Sequence, residues 1–221
     1  AMYGAGQKVM KKLFDDMTFL HCDYNPSFMG QAPEPIAKNL NEFSQLIKNH
    51  GSIAAGLATD GDADRIGLFN SKGEFVDSHH IILLLLLYLN QYKEMTGKVV
   101  VAASTTPRVA RLANHFGLPH DTVQVGFKYI AKQMINEDVL IGGEESGGIA
   151  IKGHIPERDG IWMGLILFEF MAKSGKSLDD LINEVYQIVG SFAFERIDLH
   201  ITNERKEKII ENCKSNKFKN F

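Results

Sequence analysis

The run His80-Ile81-Ile82-Leu83-Leu84-Leu85-Leu86-Leu87-Tyr88-Leu89 constrains the fold of this chain more than any other stretch. A helix that crosses a bilayer needs about 20 apolar residues, so the run is too short for that. A helix that is apolar on every side must instead be buried, which takes further layers of secondary structure around it. The flanking sequence supplies them. Near-continuous valine at 98–102 and short apolar or extended runs at 53–58, 66–69, 122–125, 140–141 and 149–151 read as strands. Helical spacing marks a first helix through Val9, Met10 and Leu13, then helices over 36–47, 80–92, 129–136, 159–173 and 177–189. Thr106 caps one more helix, with Pro107 at its first position and Gly117 past its end. Ser177 and Asp180 are spaced as a capping box.

Strand candidates also lie at 17–21 and 192–201, and residues 22–35 form a loop because Pro26, Gly30, Pro33 and Pro35 bar regular structure. Gly51 stops the second helix. Asn70-Ser71-Lys72-Gly73 turns the chain so that 74–76 returns antiparallel. Strands alternating with helices predict an α/β fold of two consecutive α/β/α domains with mixed, mostly parallel sheets. We place the first over residues 1–76 and the second over 77–202, and read 203–221, rich in Lys, Glu and Asn, as a linker.

With 221 residues, 44% of them apolar and 23% charged, the chain has the composition of a globular protein of one large or two small domains. A formal charge of -3 gives no electrostatic case for nucleic acid or an anionic membrane as partner. Cys22 and Cys213 lack metal-ligand or redox spacing, and no secretory leader pattern is present, so we expect a reduced, cytoplasmic setting. The abrupt start in a helical pattern and the polar tail lead us to expect a piece of a longer chain.

The chemistry gathers at Thr59-Asp60-Gly61-Asp62-Ala63-Asp64-Arg65. In an extended chain, residues i, i+2 and i+4 point to one side, so Asp60, Asp62 and Asp64 would converge. Two like charges at roughly 4 Å repel by about 4 kcal/mol at an effective dielectric near 20, so the trio calls for a hard divalent cation. Arg65 beside it suits a phosphate. A solvated acidic turn is the plain alternative. A calcium helix-loop-helix loop is excluded, because its required Gly and Glu positions hold Arg65 and Ser71. A phosphatase with a nucleophilic Asp is only weakly supported, because Asp62-Ala63-Asp64 lacks the hydroxyl or branched residue that such a signature carries.

The second cluster is Gly142-Gly143-Glu144-Glu145-Ser146-Gly147-Gly148, directly after a strand. Its glycines permit positive φ or close approach to a ligand, and would display Glu144, Glu145 and Ser146. Glu144 and Ser146 suit a polyhydroxyl ligand, whereas the dinucleotide fingerprint does not fit. A mobile surface turn is the alternative. In Gly126-Phe127-Lys128, a lysine at a helix start hints at a bound phosphate, though a solvated lysine serves equally well. Asp159 fits an N-cap, and Arg158 before it is free to reach a phosphate. His79, His80 and His154 read as surface residues without a role.

Taken together, Met2-Tyr3-Gly4-Ala5-Gly6, the acidic run from Ala58 to Arg65, Val125-Gly126-Phe127-Lys128-Tyr129-Ile130, Gly142-Gly143-Glu144-Glu145-Ser146-Gly147-Gly148 and Glu157-Arg158-Asp159-Gly160 resemble the α-D-phosphohexomutases, the phosphoglucomutase/phosphomannomutase superfamily, in order and spacing. The resemblance implies the second and third domains of a four-domain enzyme whose first and fourth domains are missing partners. It implies Mg²⁺ on Asp60, Asp62 and Asp64, with a phosphoserine oxygen from the first domain, and Arg65 beside the metal as a supporting catalytic group. It implies Glu144 and Ser146 on sugar hydroxyls, and Gly126, Lys128 and Arg158 near the phosphate of a hexose phosphate or hexose bisphosphate. Gly126-Phe127-Lys128 and Gly147-Gly148 are more similar to phosphoglucomutase-like members than to the histidine-bearing phosphomannomutase-type ones. The family's nucleophilic serine loop, of T-A-S-H-N-P type, and its R-x-S-G-T-E loop are absent here, so the implied reaction is reversible phosphoryl transfer for which this chain alone is incomplete. The alternatives are a Mg²⁺-dependent phosphatase using an Asp of the 60–64 loop and a non-catalytic sugar-phosphate-binding module.

Overall fold

The computed structural model describes residues 1–197 and 199–215. Its core element is α3 (Ser78–Leu87), the apolar run, whose residues from Ile81 to Leu87 have no measurable exposure. Asp77 caps it by accepting from the His80 N–H, and a single π turn over Tyr88–Tyr92 ends it.

Two sheets flank this helix. The first is an antiparallel meander of β1 (Ala55–Thr59), β2 (Ile66–Asn70) and β3 (Phe75–Val76), in the order β1-β2-β3. Thr59 pairs with Ile66 and Ala55 with Asn70, so the acidic run is the tip of a hairpin. The second sheet has the order β5-β4-β6-β7, built from β4 (Lys98–Ala102), β5 (His120–Val123), β6 (Val139–Gly143) and β7 (Ile149–Ile151). The pairs of β4 with β5 and β6 are parallel, and β7 is antiparallel to β6. Parallel pairing is thus confined to the second sheet. Two-residue-period alternation sends Val99 and Val101 into the large core with α3, and Val100 to the opposite face with Phe127 and Ile130 of α5 (Phe127–Asn136). On the α3 side lie α4 (Arg108–His115), α6 (Gly160–Ser174) and α7 (Leu178–Val189), completing an α/β/α sandwich.

The two sheets are joined through α6 and α7. Gly164 of α6 lets that helix lie on Leu57 of β1, where an added Cβ would come within 2.5 Å of a leucine methyl carbon. The turn after β2 is held by Asp179 of α7, which accepts from Asn70 Nδ2 and Lys72 Nζ, each at 2.7 Å. Ser177 and Asp180 form the expected capping box. Against the first sheet packs α2 (Asn41–His50), which Gly51 ends in the left-handed region at φ 71°, while α1 (Gln7–Leu13) buries only Met10 and reaches Cys22 and Phe19 through Lys11.

Several elements depart from the sequence reading. Residues 17–20 run without regular structure, and the carbonyls of Leu20 and His21 accept from the Ala1 amino group and the Tyr3 N–H. Residues 192–197 and 199–201 are likewise irregular instead of a strand, with Phe194, Ile197 and Leu199 exposed; Asp198 lies outside the described residues. The tail read as a linker contains α8 (Asn203–Lys214), capped by Thr202 and with no buried residue, while 216–221 lie outside the described residues. Gly142 and Gly143 belong to β6 instead of the loop. A Cβ on Gly142 would lie 2.2 Å from Ile130 Cγ2, and one on Gly143 2.7 Å from Ile82 Cδ1, so both positions let helices press onto the strand. No helix among the described residues is long and apolar enough to cross a membrane.

Candidate metal and sugar-phosphate site

The acidic tip gathers one carboxylate oxygen each from Asp60, Asp62 and Asp64 within 4.8 Å of one another. The gathering comes from a hairpin bend, with Ala63 at φ 66°, instead of the extended alternation that the spacing predicts. Asp60 is 1% exposed, and its two oxygens accept from the Arg65 main chain at 3.0 Å and from Arg65 Nε at 2.5 Å. Asp62 is exposed, whereas Asp64 is half-buried and faces Arg158, with Nη2 at 2.7 Å from Oδ2. Burial, followed by the charge of Asp60, pushes the Asp64 carboxyl up to about 6, against the pull of Arg158. The oxygen-only donor set matches a hard cation such as Mg²⁺.

The tip is clamped from three sides. The Ala5 N–H donates to the Gly61 carbonyl at 3.0 Å, and Gly4 lies so close that a Cβ there would be 2.5 Å from the same oxygen. Gly160 opens α6 by donating to the Ala63 carbonyl at 3.0 Å, and its own Cβ would be 2.5 Å from the Arg65 carbonyl. Asp159 caps that helix by accepting from the Trp162 N–H, as the sequence predicts, and its other oxygen meets His154 Nε2 at 2.9 Å. Phe28 and Pro33 cover Gly61 from the proline-rich loop. Glu34 of that loop lies 3.6 Å from Arg65 Nη1, a partner the sequence reading missed. Its signal was a lone charge pinned between Pro33 and Pro35.

The glycine-rich loop meets this tip directly. Arg65 and Gly148 form an antiparallel bridge, and the Ile66 N–H donates to the Gly147 carbonyl at 3.1 Å. Glu144, expected to be displayed, is 6% exposed, and its Oε1 accepts from the Gly126 N–H at 2.9 Å. Ser146 and Glu145 remain half-exposed, with the Glu145 carbonyl accepting from Ser78 Oγ. Gly126 therefore belongs to the cluster through its main chain. Lys128 lies in the first turn of α5, exposed, and its Nζ stands 5.0 Å from the centre of the Tyr129 ring.

The histidines depart from their surface reading. His79 is 1% exposed, its Nδ1 accepts from the Thr106 N–H at 3.2 Å, and burial lowers its pKa. His80 stands between Asp77, 2.9 Å from Nδ1, and the Tyr186 hydroxyl, 2.7 Å from Nε2.

The comparisons agree with this geometry. The family model for phosphoglucomutase/phosphomannomutase α/β/α domain II matches residues 1–73, and that for α/β/α domain III matches residues 77–189. A phosphoglucosamine mutase of Rubrobacter xylanophilus is 33% identical over 175 residues, covering 76% of this chain and 39% of the relative. One from Clostridioides difficile is 28% identical over 218 residues, covering 94% and 46%. A solved structure from Thermus thermophilus, described as a phosphomannomutase, superposes with a TM-score of 0.82 at 34% identity over 92% of this chain and 48% of its own. The chain thus spans less than half the length of these relatives. Two matched domains in sequence, with the acidic tip in one and the Glu-Glu-Ser loop in the other, place the chain in the phosphoglucomutase/phosphomannomutase family, within the α-D-phosphohexomutase superfamily.

Proposed function

We propose that this chain is the metal- and sugar-phosphate-binding middle portion of a phosphohexomutase that moves a phosphoryl group reversibly between positions of a hexose phosphate. The domain boundary falls after Val76, and the nucleophilic phosphoserine comes from outside residues 1–221. The observation that carries the reading is the seam at Arg65–Gly148, which sets three convergent carboxylates beside a buried glutamate of a second loop.

Asp60, Asp62 and Asp64 would hold Mg²⁺. When bound, the ion supplies Lewis-acid stabilisation of charge on a phosphoryl oxygen. Arg65, anchored through Nε on Asp60 and with Nη1 3.6 Å from Glu34, turns its Nη2 to the same oxygens, where fixed positive charge favours the transition state. Glu144 spends Oε1 on Gly126 and offers Oε2 to a sugar hydroxyl, while Ser146 donates to or accepts from a neighbouring one. Lys128 serves the phosphate at the far end of the substrate, and Arg158 reaches a phosphate only on leaving Asp64, where it stands at 2.7 Å. A hexose bisphosphate is the intermediate, and it reorients between the two transfers. Relatives named phosphoglucosamine mutase and phosphomannomutase support a hexose phosphate as substrate class.

The test is an assay of hexose 1-phosphate to hexose 6-phosphate conversion with Mg²⁺ and a hexose bisphosphate activator. The chain alone should give no turnover. Fusion to a first domain carrying the serine loop and a fourth carrying the phosphate loop should restore it, and Asp62→Asn should abolish it again. Turnover by the chain alone, or full activity of the fused Asp62→Asn variant, would refute the proposal.

A further inference from the structure

The three carboxylates of the tip are not partnered alike. Asp60 accepts from Arg65, a residue of the same hairpin, through both oxygens, each of which keeps a lone pair for a cation. Asp62 faces solvent and has no cationic partner among the described residues. Asp64 is paired with a guanidinium brought from the other domain, that of Arg158. The Arg158 side chain reaches that position over bare backbone. A Cβ on Gly148 would lie 2.3 Å from Arg158 Cδ, so only glycine lets the stem pass. The guanidinium carbon stands 5.5 Å from the centre of the buried Phe127 ring, a cation–π distance, and Nε is 3.4 Å from Glu157 Oε1. One arm thus ties the acidic tip to the glycine loop and to the start of α5.

The charge count gives this tie a consequence. Asp60, Asp62 and Asp64, with Glu34 on Arg65 and Glu157 on Arg158, set five carboxylates against two guanidinium groups, a net charge of -3 when all are ionised. A divalent cation among the carboxylates would face the Arg158 guanidinium across Asp64, like charge against like charge at short range. Metal and guanidinium therefore compete for one carboxylate.

We propose that Arg158 is the built-in counter-ion of the metal loop: it occupies Asp64 in the metal-free protein and is displaced when a divalent cation binds. The inference rests on the reading of Asp60, Asp62 and Asp64 as the metal holders. It makes Arg158 a residue that sets metal affinity, and it couples metal arrival to release of the arm that straps the two loops together.

Calorimetric titration of the chain with MgCl₂ tests it, comparing wild type with Arg158→Gln and Arg158→Lys. Removing a partly exposed competing ion pair should tighten Mg²⁺ binding about fivefold. Arg158→Lys should stay close to wild type, because it keeps the charge. Arg158→Met, which preserves the apolar stem over Gly148 and Phe127, serves if the glutamine variant does not fold. In the wild type, Mg²⁺ should also shift the Nε–H resonance of Arg158 in a ¹H–¹⁵N spectrum. Equal or weaker Mg²⁺ affinity in the charge-removed variants overturns the counter-ion role while leaving the metal site standing. Absence of Mg²⁺ binding by every form, wild type included, overturns the metal-site reading and the counter-ion role with it.

Discussion

The main-chain N–H of Ile66 donates to the Gly147 carbonyl at 3.1 Å, and this bond, beside the Arg65–Gly148 bridge, joins the acidic hairpin to the glycine loop in one seam. Gly147 sits at φ +93° with its missing Cβ 2.7 Å from the Ile66 carbonyl. Gly147→Ala therefore meets both backbone strain and a clash, and should cost about 2–4 kcal/mol by the sum of those effects. Gly153→Ala is the matched control, with a similar φ of +89° and open space around it. It should cost only about 1 kcal/mol. Urea unfolding of both variants checks the difference, and equal losses would show that the seam is soft.

Mg²⁺ should stabilise the chain more at pH 7 than at pH 5. Asp64 titrates at about 6 instead of 3.8, chiefly through burial and then through Asp60. A raised carboxyl pKa means that its charge costs the folded state stability, with no cost below pH 3.8, a growing cost up to about 6 and a constant one above. A cation relieves that cost only where the carboxyl is ionised. Thermal melts with and without MgCl₂ at the two pH values measure it, and equal shifts would count against the electrostatic account. In Asp60→Asn, the Asp64 resonance should titrate lower than in wild type yet still above 3.8, because burial remains.

Acid should weaken the second domain through His79. Its folded pKa lies below 6.5, burial being the main cause, Asp77 opposing and His80 adding to it. Stability is thus lost as pH falls below 6.5 toward the folded pKa, because the unfolded chain takes up the proton first. His79→Asn, which retains an acceptor for the Thr106 N–H, should lose about 1–3 kcal/mol at pH 7 from poorer packing but show a flatter acid limb. Urea midpoints at pH 7, 6 and 5 report it; parallel curves would exclude His79 as the group responsible.

The segment after α7 is fastened by Phe192. Its ring stacks on His80 at 4.2 Å and 5°, and the Arg108 guanidinium lies 4.8 Å from its centre. Phe192→Ala should cost about 1–2 kcal/mol in aromatic and cation–π contacts. Amide exchange of residues 190–196 should accelerate while α3 stays protected. Unchanged exchange there would show that the bonds from the Arg108 guanidinium to the Gly190 and Ser191 carbonyls suffice.

The sequence was most legible where local chemistry had one solution. The Leu83–Leu87 run, the Ser177 and Asp180 box, the Asp159 cap and the Gly51 stop all read correctly, because caps and all-round hydrophobicity act within a few residues. The Asp trio was found by its alternate spacing, although the bend at Ala63 that gathers it was invisible to a period-two argument. Gly142 and Gly143 looked like loop because their value lies in Ile130 and Ile82, contacts far away in sequence. For the same reason β5 came out two residues late, since His120 and Asp121 are polar and recruited by pairing with Val99 and Val100. Residues 192–201 looked like a strand, but Phe192 stacks on His80 and Phe194 meets His79 edge-on, and Ile197 and Leu199 stay exposed. The burial of Glu144 depended on the Gly126 N–H, eighteen residues away.

Titration of the ¹⁵N-labelled chain with Mn²⁺, a paramagnetic substitute for Mg²⁺, tests the central claim most directly. The account predicts that amide signals of residues 60–65 broaden first, followed by those of 144–148 across the Arg65–Gly148 bridge. Broadening centred instead on the Asp179 and Asp180 end of α7, with residues 60–65 and 144–148 left sharp, would contradict it.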